Sequence, residues 1–253
     1  MSKGAVYVYG IVAAADAASV SHTGVEGSPV RTIPEGDLAA LVSDLAGGAL
    51  AAAREVRAHW RVLEAASAEA TVLPVRFGTV MEDDAAVREQ LLTANAERLR
   101  ALMKELTGRV QVGVKGNYQQ DELLRGVVAA SPTVAALRAR IEGLSEAASY
   151  YDRIRLGELV AAEVERQREE DAAFARGRLE SLAVATRAEG PGTPDAAFNL
   201  AFLIEHDQLD EFTAAVNGVI EALGDRIAVR YVGPLAPYSF ADAELTTATE
   251  EVA

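Results

Sequence analysis

Apolar and polar residues alternate with a period of two in several short segments, a pattern that predicts β-strands. The predicted strands are residues 5–12, 38–45, 72–80, 110–114, 198–204 and 227–231. In the first of them Val6, Val8 and Val12 are expected on one face and the tyrosines between them on the other, so that both faces are covered. Residues 38–45 also fit a short helix, but an apolar run closed by glycines favours a strand.

Elsewhere apolar residues recur at intervals of three and four, which predicts helices. The predicted helices are residues 50–70, 82–107, 121–130, 133–143, 145–188 and 209–223. In the first helix Val56, Trp60 and Leu63 belong to the stripe that is expected to face the core. The second begins at an acidic triplet, residues 82–84, which suits the positive end of a helix dipole better than it suits an acid–base pair.

The longest predicted helix loses its apolar pattern over residues 165–171, where glutamate and arginine predominate. General acid–base chemistry is one interpretation, but a solvated helical face with offsetting charges is favoured, and such a face often bridges two bodies. Residues 190–194, Gly-Pro-Gly-Thr-Pro, are the clearest linker. The strand–helix–strand pattern beyond them, joined to the strand at 110–114 and its helix, predicts a ferredoxin-like α+β domain that contains the long helical stretch as an insertion.

Composition restricts the class of partner. The 253 residues include 38 acidic and 24 basic side chains, a net charge of −14, so phosphate backbones and anionic membrane surfaces are repelled. Arg54, Arg57 and Arg61, like Arg153 and Arg155, are interleaved with glutamate, so no basic patch is predicted. The N-terminus has no signal-peptide pattern, and no apolar run reaches the ~20 residues of a membrane span, which predicts a cytoplasmic protein.

The sequence has no recognisable catalytic or metal-binding motif. It contains no cysteine, which excludes disulfides and thiolate metal ligands. The three histidines, His22, His59 and His206, lack a second ligand at metal-binding spacing, so a surface or capping role is expected for each. Nucleophile-elbow and phosphate-loop motifs are also missing from the sequence. We therefore predict no catalytic residue, no metal and no cofactor.

Two segments combine aromatic residues with Pro and Gly, and both are candidates for partner contact. In residues 73–80, Pro74 indicates a bulge or an edge strand, which is a template for pairing with another chain. Simple pairing of Arg76 with a nearby glutamate is the alternative. In residues 233–240, two prolines favour an extended arm; docking of this arm on the body is favoured for Phe240, whereas Tyr238 suits an interface. The predicted contact residues are Arg76, Phe77, Arg230, Tyr231 and Tyr238.

Four motifs in order resemble the gas vesicle protein family GvpF/GvpL. They are Val-Tyr-Val-Tyr-Gly-Ile at residues 6–11, Leu-Pro-Val-Arg-Phe-Gly-Thr-Val at 73–80, the strand at 112–115 and Gly-Pro-Leu-Ala-Pro-Tyr-Ser-Phe at 233–240. The family usually has Trp-Pro where this chain has Leu235 and Ala236, so a role for that tryptophan does not carry over. The resemblance implies an α+β protein of two domains, the C-terminal one a modified ferredoxin-like fold, with long attached helices.

The resemblance also implies a function. It predicts a non-enzymatic accessory protein of gas vesicle assembly, cytoplasmic and vesicle-associated, that contacts the hydrophobic shell protein and other accessory proteins. The expected domains are residues 1–107, an N-terminal α+β domain, and residues 108–253, the ferredoxin-like domain with a helical insertion around 120–190 and a C-terminal arm. A ferredoxin-like regulatory module that binds a small molecule is the alternative. An enzyme that uses Asp or Glu side chains is a third hypothesis.

Overall fold

The structure, a computed structural model, describes residues 4–17, 22–47, 53–190 and 192–241. The first residues of the predicted helix 50–70, Pro191 of the predicted linker and residues 242–253 lie outside the described residues. The chain divides into two compact units. The first comprises the described residues up to Gln111 together with those from Pro234 onward, and the second comprises Val112–Gly233. The segment from Pro234, expected in the C-terminal domain, thus groups with the first unit.

The first unit contains an antiparallel sheet whose strands follow the order β2-β3-β1-β4, with β5 also paired to β1. The strands are β1 (Val6–Ala13), β2 (Arg31–Glu35), β3 (Leu38–Asp44), β4 (Val72–Pro74) and β5 (Val80–Met81). The helices are α1 (Ala53–Glu69), α2 (Asp84–Ala86), a π-helical segment (Val87–Thr93) and α3 (Ala96–Leu106). The favoured assignment of residues 38–45 to a strand is confirmed by β3.

Strand β1 contains a bulge that changes which side chains share a face. Val8 pairs with Val42 and Gly10 pairs with Leu41, so Tyr9 is an extra residue opposite β3. An extra residue reverses the alternation beyond it. Tyr7, Tyr9 and Val12 consequently belong to one buried cluster with residues of α1. The prediction that Val12 shares a face with Val6 and Val8 is therefore wrong.

The strand predicted at residues 72–80 is interrupted. β4 and β5 pair with β1 on either side of a turn, in which the Thr79 N–H donates to the Arg76 carbonyl oxygen at 3.2 Å. Gly78 has a φ of +90°, a conformation that costs little only for glycine. Arg76 and Phe77 thus lie in a turn and do not alternate in a strand. β4 does lie at the sheet edge, as Pro74 predicts.

The helix predicted at residues 82–107 is divided into α2, the π-helical segment and α3. Its start is confirmed, because the Asp83 side chain accepts a hydrogen bond from the Ala86 N–H at 2.9 Å. The division falls at Asn95, whose amide donates to the backbone carbonyls of Gln90 and Leu91 at 3.1 and 2.9 Å. These side-chain bonds compete with the helical ladder, and sequence periodicity carries no sign of them.

The second unit has the element order β-α-β-β-α-β and a four-stranded sheet with the order β7-β8-β6-β9. Its strands are β6 (Arg109–Tyr118), β7 (Ala185–Ala188), β8 (Ala196–Glu205) and β9 (Ile227–Leu235). Helices α4 (Gln120–Ala130), α5 (Pro132–Ile141) and α6 (Glu146–Leu179) connect β6 to β7, and α7 (Leu209–Leu223) connects β8 to β9. Phe202 of β8 and Phe212 of α7 pack in the core with ring centroids 5.1 Å apart.

Three predictions for the second unit need correction. The long helix ends at Leu179 rather than at residue 188, because residues 185–188 pair with β8 as β7. Residues 190–194 therefore lie in the connection between two antiparallel strands and do not link separate bodies. Within the predicted solvated face 165–171, Asp171 is buried: it accepts a hydrogen bond from the Tyr118 hydroxyl at 2.7 Å and pairs with Arg226.

The described residues contain neither a candidate membrane span nor a candidate metal-binding cluster. None of the helices placed there has the length and apolar character that a bilayer crossing requires. No cluster of three or more His, Asp or Glu side chains in the same part of the chain is arranged to hold a metal ion.

Candidate partner-binding surface

The buried face of α1 contributes to an aromatic cluster in the first unit, made by Tyr7, Tyr9, His59, Phe77 and Tyr238. The His59 ring lies 5.7 Å from each of the Tyr7 and Tyr9 rings, 5.5 Å from Phe77 and 6.5 Å from Tyr238, centroid to centroid. The bulge in β1 directs both tyrosines toward α1, and the turn at residues 76–79 directs Phe77 to the same place. The expectation of a surface or capping role for His59 is wrong, since this residue is completely buried.

Hydrogen bonds fix the tyrosines and the histidine. The Gly78 N–H donates to the Tyr7 hydroxyl at 3.1 Å, and that hydroxyl lies 2.9 Å from His59 Nδ1. The hydroxyl carries one proton and two lone pairs, so in this pair Nδ1 donates or accepts according to the tautomer of the ring. The Tyr9 hydroxyl accepts from the Val25 N–H at 2.8 Å and lies 2.8 Å from the Ser43 hydroxyl.

Burial keeps the cluster uncharged. It lowers the pKa of His59 from 6.5 to about 4, and an interaction with the Val75 backbone opposes this only in part. Burial also raises the pKa of Tyr7 and of Tyr238 well above the usual value for tyrosine. Among the described residues, His59 Nε2 and the Tyr238 hydroxyl have no partner with hydrogen-bond geometry. A neutral, enclosed histidine of this kind is a poor general base at neutral pH.

The segment from Pro234 to residue 241 anchors Tyr238 against α1. Ala236 and Phe240 are buried, and the Ser239 N–H donates to Gln111 Oε1 at 2.8 Å. Docking of the arm, favoured for Phe240, is thus confirmed. Tyr238 is half-buried, and its ring centroid lies 4.2 Å from that of Trp60. The cluster therefore reaches the surface through Trp60, which is 42% exposed.

Trp60 lies on an outer face of α1 that carries three arginines. We call Arg54, Arg57, Trp60 and Arg61 the basic face of α1; together they line an open depression of about 510 Å³. Arg54 pairs with Glu55, which is buried, and this contact lowers the pKa of the Glu55 carboxyl. Arg61 Nε donates to the Arg57 carbonyl oxygen at 3.3 Å. Within the described part of the chain, neither Arg57 nor Arg61 forms an ion pair with a carboxylate.

The basic face corrects two predictions. The stripe expected to face the core included Trp60, but the buried face of α1 is rotated from it and contains Glu55, Ala58, His59, Val62, Leu63 and Ala66. The arginines were expected to be balanced by neighbouring glutamates, yet they share one exposed side of the helix. The signal that could have found this face is the spacing of Arg54, Arg57 and Arg61 at i, i+3 and i+7.

The predicted contact residues fall in both units. In the first unit Arg76 is exposed on the turn, without an ion pair among the described residues, while Phe77 and Tyr238 pack in the aromatic cluster. In the second unit Arg230 is exposed on β9, an edge strand. Tyr231 on the same strand is half-buried, and its hydroxyl lies 3.2 Å from the Thr213 hydroxyl. The five residues thus do not form one site within a single unit.

Comparison with known proteins identifies the family. The family described as "Gas vesicle synthesis protein GvpL/GvpF" matches residues 5–242. The chain belongs to this family. Gas vesicle protein F of Streptomyces sp. (strain CB03234) is 34% identical over 247 residues, which cover 93% of this chain and 99% of that protein. Gas vesicle protein F of Microcystis aeruginosa (strain PCC 7806) is 30% identical over 194 residues, 76% of this chain and 79% of that one.

The fold of this GvpL/GvpF member also resembles that of a solved relative. The crystal structure of the gas vesicle protein GvpF from Anabaena sp. PCC7120 superposes with a TM-score of 0.81 at 27% sequence identity. The match covers 95% of this chain and 99% of that one. The four motifs that suggested the family therefore belong to a similarity that extends over nearly the whole chain, and the mixed helix-and-sheet architecture is shared.

Proposed function

We propose that this protein is an accessory factor of gas vesicle assembly that binds the hydrophobic shell protein and acts without catalysing a reaction. Family membership supports the gas vesicle role. The observation that carries the binding role is the exposed Trp60, packed on Tyr238 and flanked by arginines. Tryptophan, tyrosine and arginine are the residues most enriched among those that dominate binding energy at protein interfaces.

The physical properties of the chain fit such a role. A shell subunit with exposed apolar surface aggregates in water unless a partner covers it. A net charge of −14 keeps the partner soluble while one aromatic surface makes contact. The absence of catalysis is supported by the chemistry of the aromatic cluster, because its titratable groups are enclosed and neutral near pH 7. We propose a location in the cytoplasm at the gas vesicle, and family membership supports the association with the vesicle.

We further infer that the second unit is a modified ferredoxin-like domain. Its β-α-β-β-α-β element order and the strand order β7-β8-β6-β9 support this classification, with α4, α5 and α6 as the long connection after its first strand. Arg230 and Tyr231 lie on its edge strand β9, which leaves backbone groups for pairing with another chain. These two residues, with Arg76, Phe77 and Tyr238 of the first unit, are our proposed contacts.

Co-purification with the shell protein tests the proposal. The tagged chain is produced together with the shell protein, and the amount of shell protein retained is measured. We expect Trp60→Ala to lower retention strongly, because truncation of a central interface tryptophan typically costs 2 kcal/mol or more, about a thirtyfold loss of affinity.

The matched control is Tyr151→Ala, which removes an aromatic side chain that is 82% exposed in the second unit. Circular dichroism checks that both variants remain folded. Retention lost with Trp60→Ala and kept with Tyr151→Ala supports the proposal. Failure of the unaltered chain to retain shell protein would overturn the function, and equal retention by Trp60→Ala would move the contact away from α1.

A further inference from the structure

We propose that the basic face of α1 binds an acidic peptide segment of a partner protein, with carboxylates on Arg57 and Arg61 and an apolar side chain against Trp60. This inference deepens the proposed function. It rests on that function in one respect, because it takes the acidic segment to belong to a gas vesicle component. It adds the chemistry of the segment, which neither the family nor the exposed tryptophan specifies.

The first argument is that Arg57 and Arg61 destabilise α1. Arg57 and Arg61 are four residues apart on an exposed helical side, where like charges repel. Neither forms an ion pair with a carboxylate in the described part of the chain. Charges that weaken a helix and have no internal partner point to an external anion.

The second argument is the position of Trp60 beside the two arginines. Its ring is backed by Tyr238 at 4.2 Å, and Tyr238 is held by a segment that is itself hydrogen-bonded to Gln111. The anchor is therefore ordered before a partner arrives, which reduces the entropy lost on binding. The depression of about 510 Å³ at the basic face offers contact to an apolar side chain with arginines beside it.

The third argument selects a peptide over other anions. The chain carries a net charge of −14, so a nucleic acid or an anionic membrane, which extends far beyond α1, would meet a repulsive surface elsewhere. A short peptide segment does not, because its carboxylates need approach only the basic face, and charges beyond about 8 Å are screened at physiological salt. The basic face is therefore complementary in charge to a short acidic stretch of a peptide.

The test uses the full chain and its own fluorescence. The sequence contains one tryptophan, so tryptophan emission reports the basic face alone. The probes are a short synthetic peptide of Glu and Leu residues and the same peptide with Gln in place of Glu. We expect the Glu peptide to bind, and to bind more weakly as salt is raised, whereas the Gln peptide does not.

The decisive variant is Arg57→Glu/Arg61→Glu, with Lys104→Glu/Arg155→Glu as a control of identical net charge and exposed positions. We expect the first to lose at least about tenfold in affinity for the Glu peptide and the control to match the unaltered chain. Circular dichroism and thermal unfolding check that both variants remain folded, because the double substitution at residues 57 and 61 keeps a like-charge pair at i and i+4. Equal binding of the Gln peptide, or unchanged affinity in Arg57→Glu/Arg61→Glu, would overturn the inference.

Two further measurements separate this inference from the proposed function. Tighter binding of duplex DNA or of phosphatidylserine vesicles than of the Glu peptide at equal salt would show that the partner class is wrong. Retention of shell protein by the unaltered chain and equally by Arg57→Glu/Arg61→Glu would overturn this inference while the proposed function stands. Binding of the Glu peptide without any retention of shell protein would overturn the proposed function. It would also overturn the assignment of the acidic segment to a gas vesicle component.

Discussion

Lowering the pH from neutral is expected to destabilise this protein through His59. The folded-state pKa of His59 is about 4, against 6.5 for an ordinary histidine. Above pH 6.5 the proton is bound in neither state, and between pH 6.5 and 4 only the unfolded chain binds it. The free energy of unfolding therefore falls as the pH falls through this window, because the unfolded state takes up a proton that the folded state excludes.

The magnitude follows from the depression of the pKa. A difference of one pKa unit corresponds to 1.36 kcal/mol, so the full window removes about 3 kcal/mol. The isoelectric point is near 4.7, where proteins tend to precipitate, so the measurement stays well above it. Between pH 6.5 and about 5.5 the expected loss from His59 is about 1 kcal/mol, because the unfolded histidine is already half protonated at pH 6.5.

Urea unfolding at several pH values measures this loss. Carboxylates also begin to titrate in the window, so the quantity of interest is the difference in slope between the unaltered chain and His59→Gln. We expect the slope to be shallower in His59→Gln, and His22→Gln and His206→Gln, which remove histidines that are not buried, serve as controls. An identical slope in His59→Gln, or an NMR titration of His59 with a midpoint above pH 6, would refute the reasoning.

Two other predictions concern packing and charge. Gly24→Ala places its Cβ 1.9 Å from the Tyr9 hydroxyl, so it should lower the free energy of unfolding by about 1–3 kcal/mol. Gly157→Ala has open space around its Cβ and should raise that free energy by up to about 1 kcal/mol. Equal midpoints of the two variants in thermal unfolding would contradict this prediction. Asp171→Ala leaves Arg226 without its partner inside the second unit and should cost about 3 kcal/mol, measured by urea unfolding. A cost below about 1 kcal/mol would mean that water replaces the carboxylate.

Local periodicity predicted the helices and strands whose conformation is decided by the residues within them. The strands β3 and β8 and the helices α4 and α7 lie close to their predicted ranges, whereas β6 and β9 begin as predicted and each end four residues later. It failed where a distant partner decides the conformation. The pattern of residues 185–188 fits the end of a helix, but in the fold these residues pair with β8 as a strand. Residues 72–80 fit one strand until β1 accepts them on both sides of a turn.

The candidate surface was predicted only in part for the same reason. Tyr238 and Phe77 stand in motifs that could be recognised in the sequence, and they meet at His59. The prediction for His59 was wrong, because a histidine on a helix is expected at the surface unless a buried group forms a hydrogen bond with it. The Tyr7 hydroxyl, 52 residues away in the chain, is that group.

The sequence by itself determined the acidic character of the protein, most of its helices and strands, and the order of motifs that identifies its family. These properties are carried by residue type and short-range spacing, which need no knowledge of what lies across the core. Only the tertiary structure decided which side of α1 faces outward and that the segment after Pro234 packs beside Trp60. Those outcomes depend on pairs of residues far apart in the chain, and their energies arise only when folding brings the two members together.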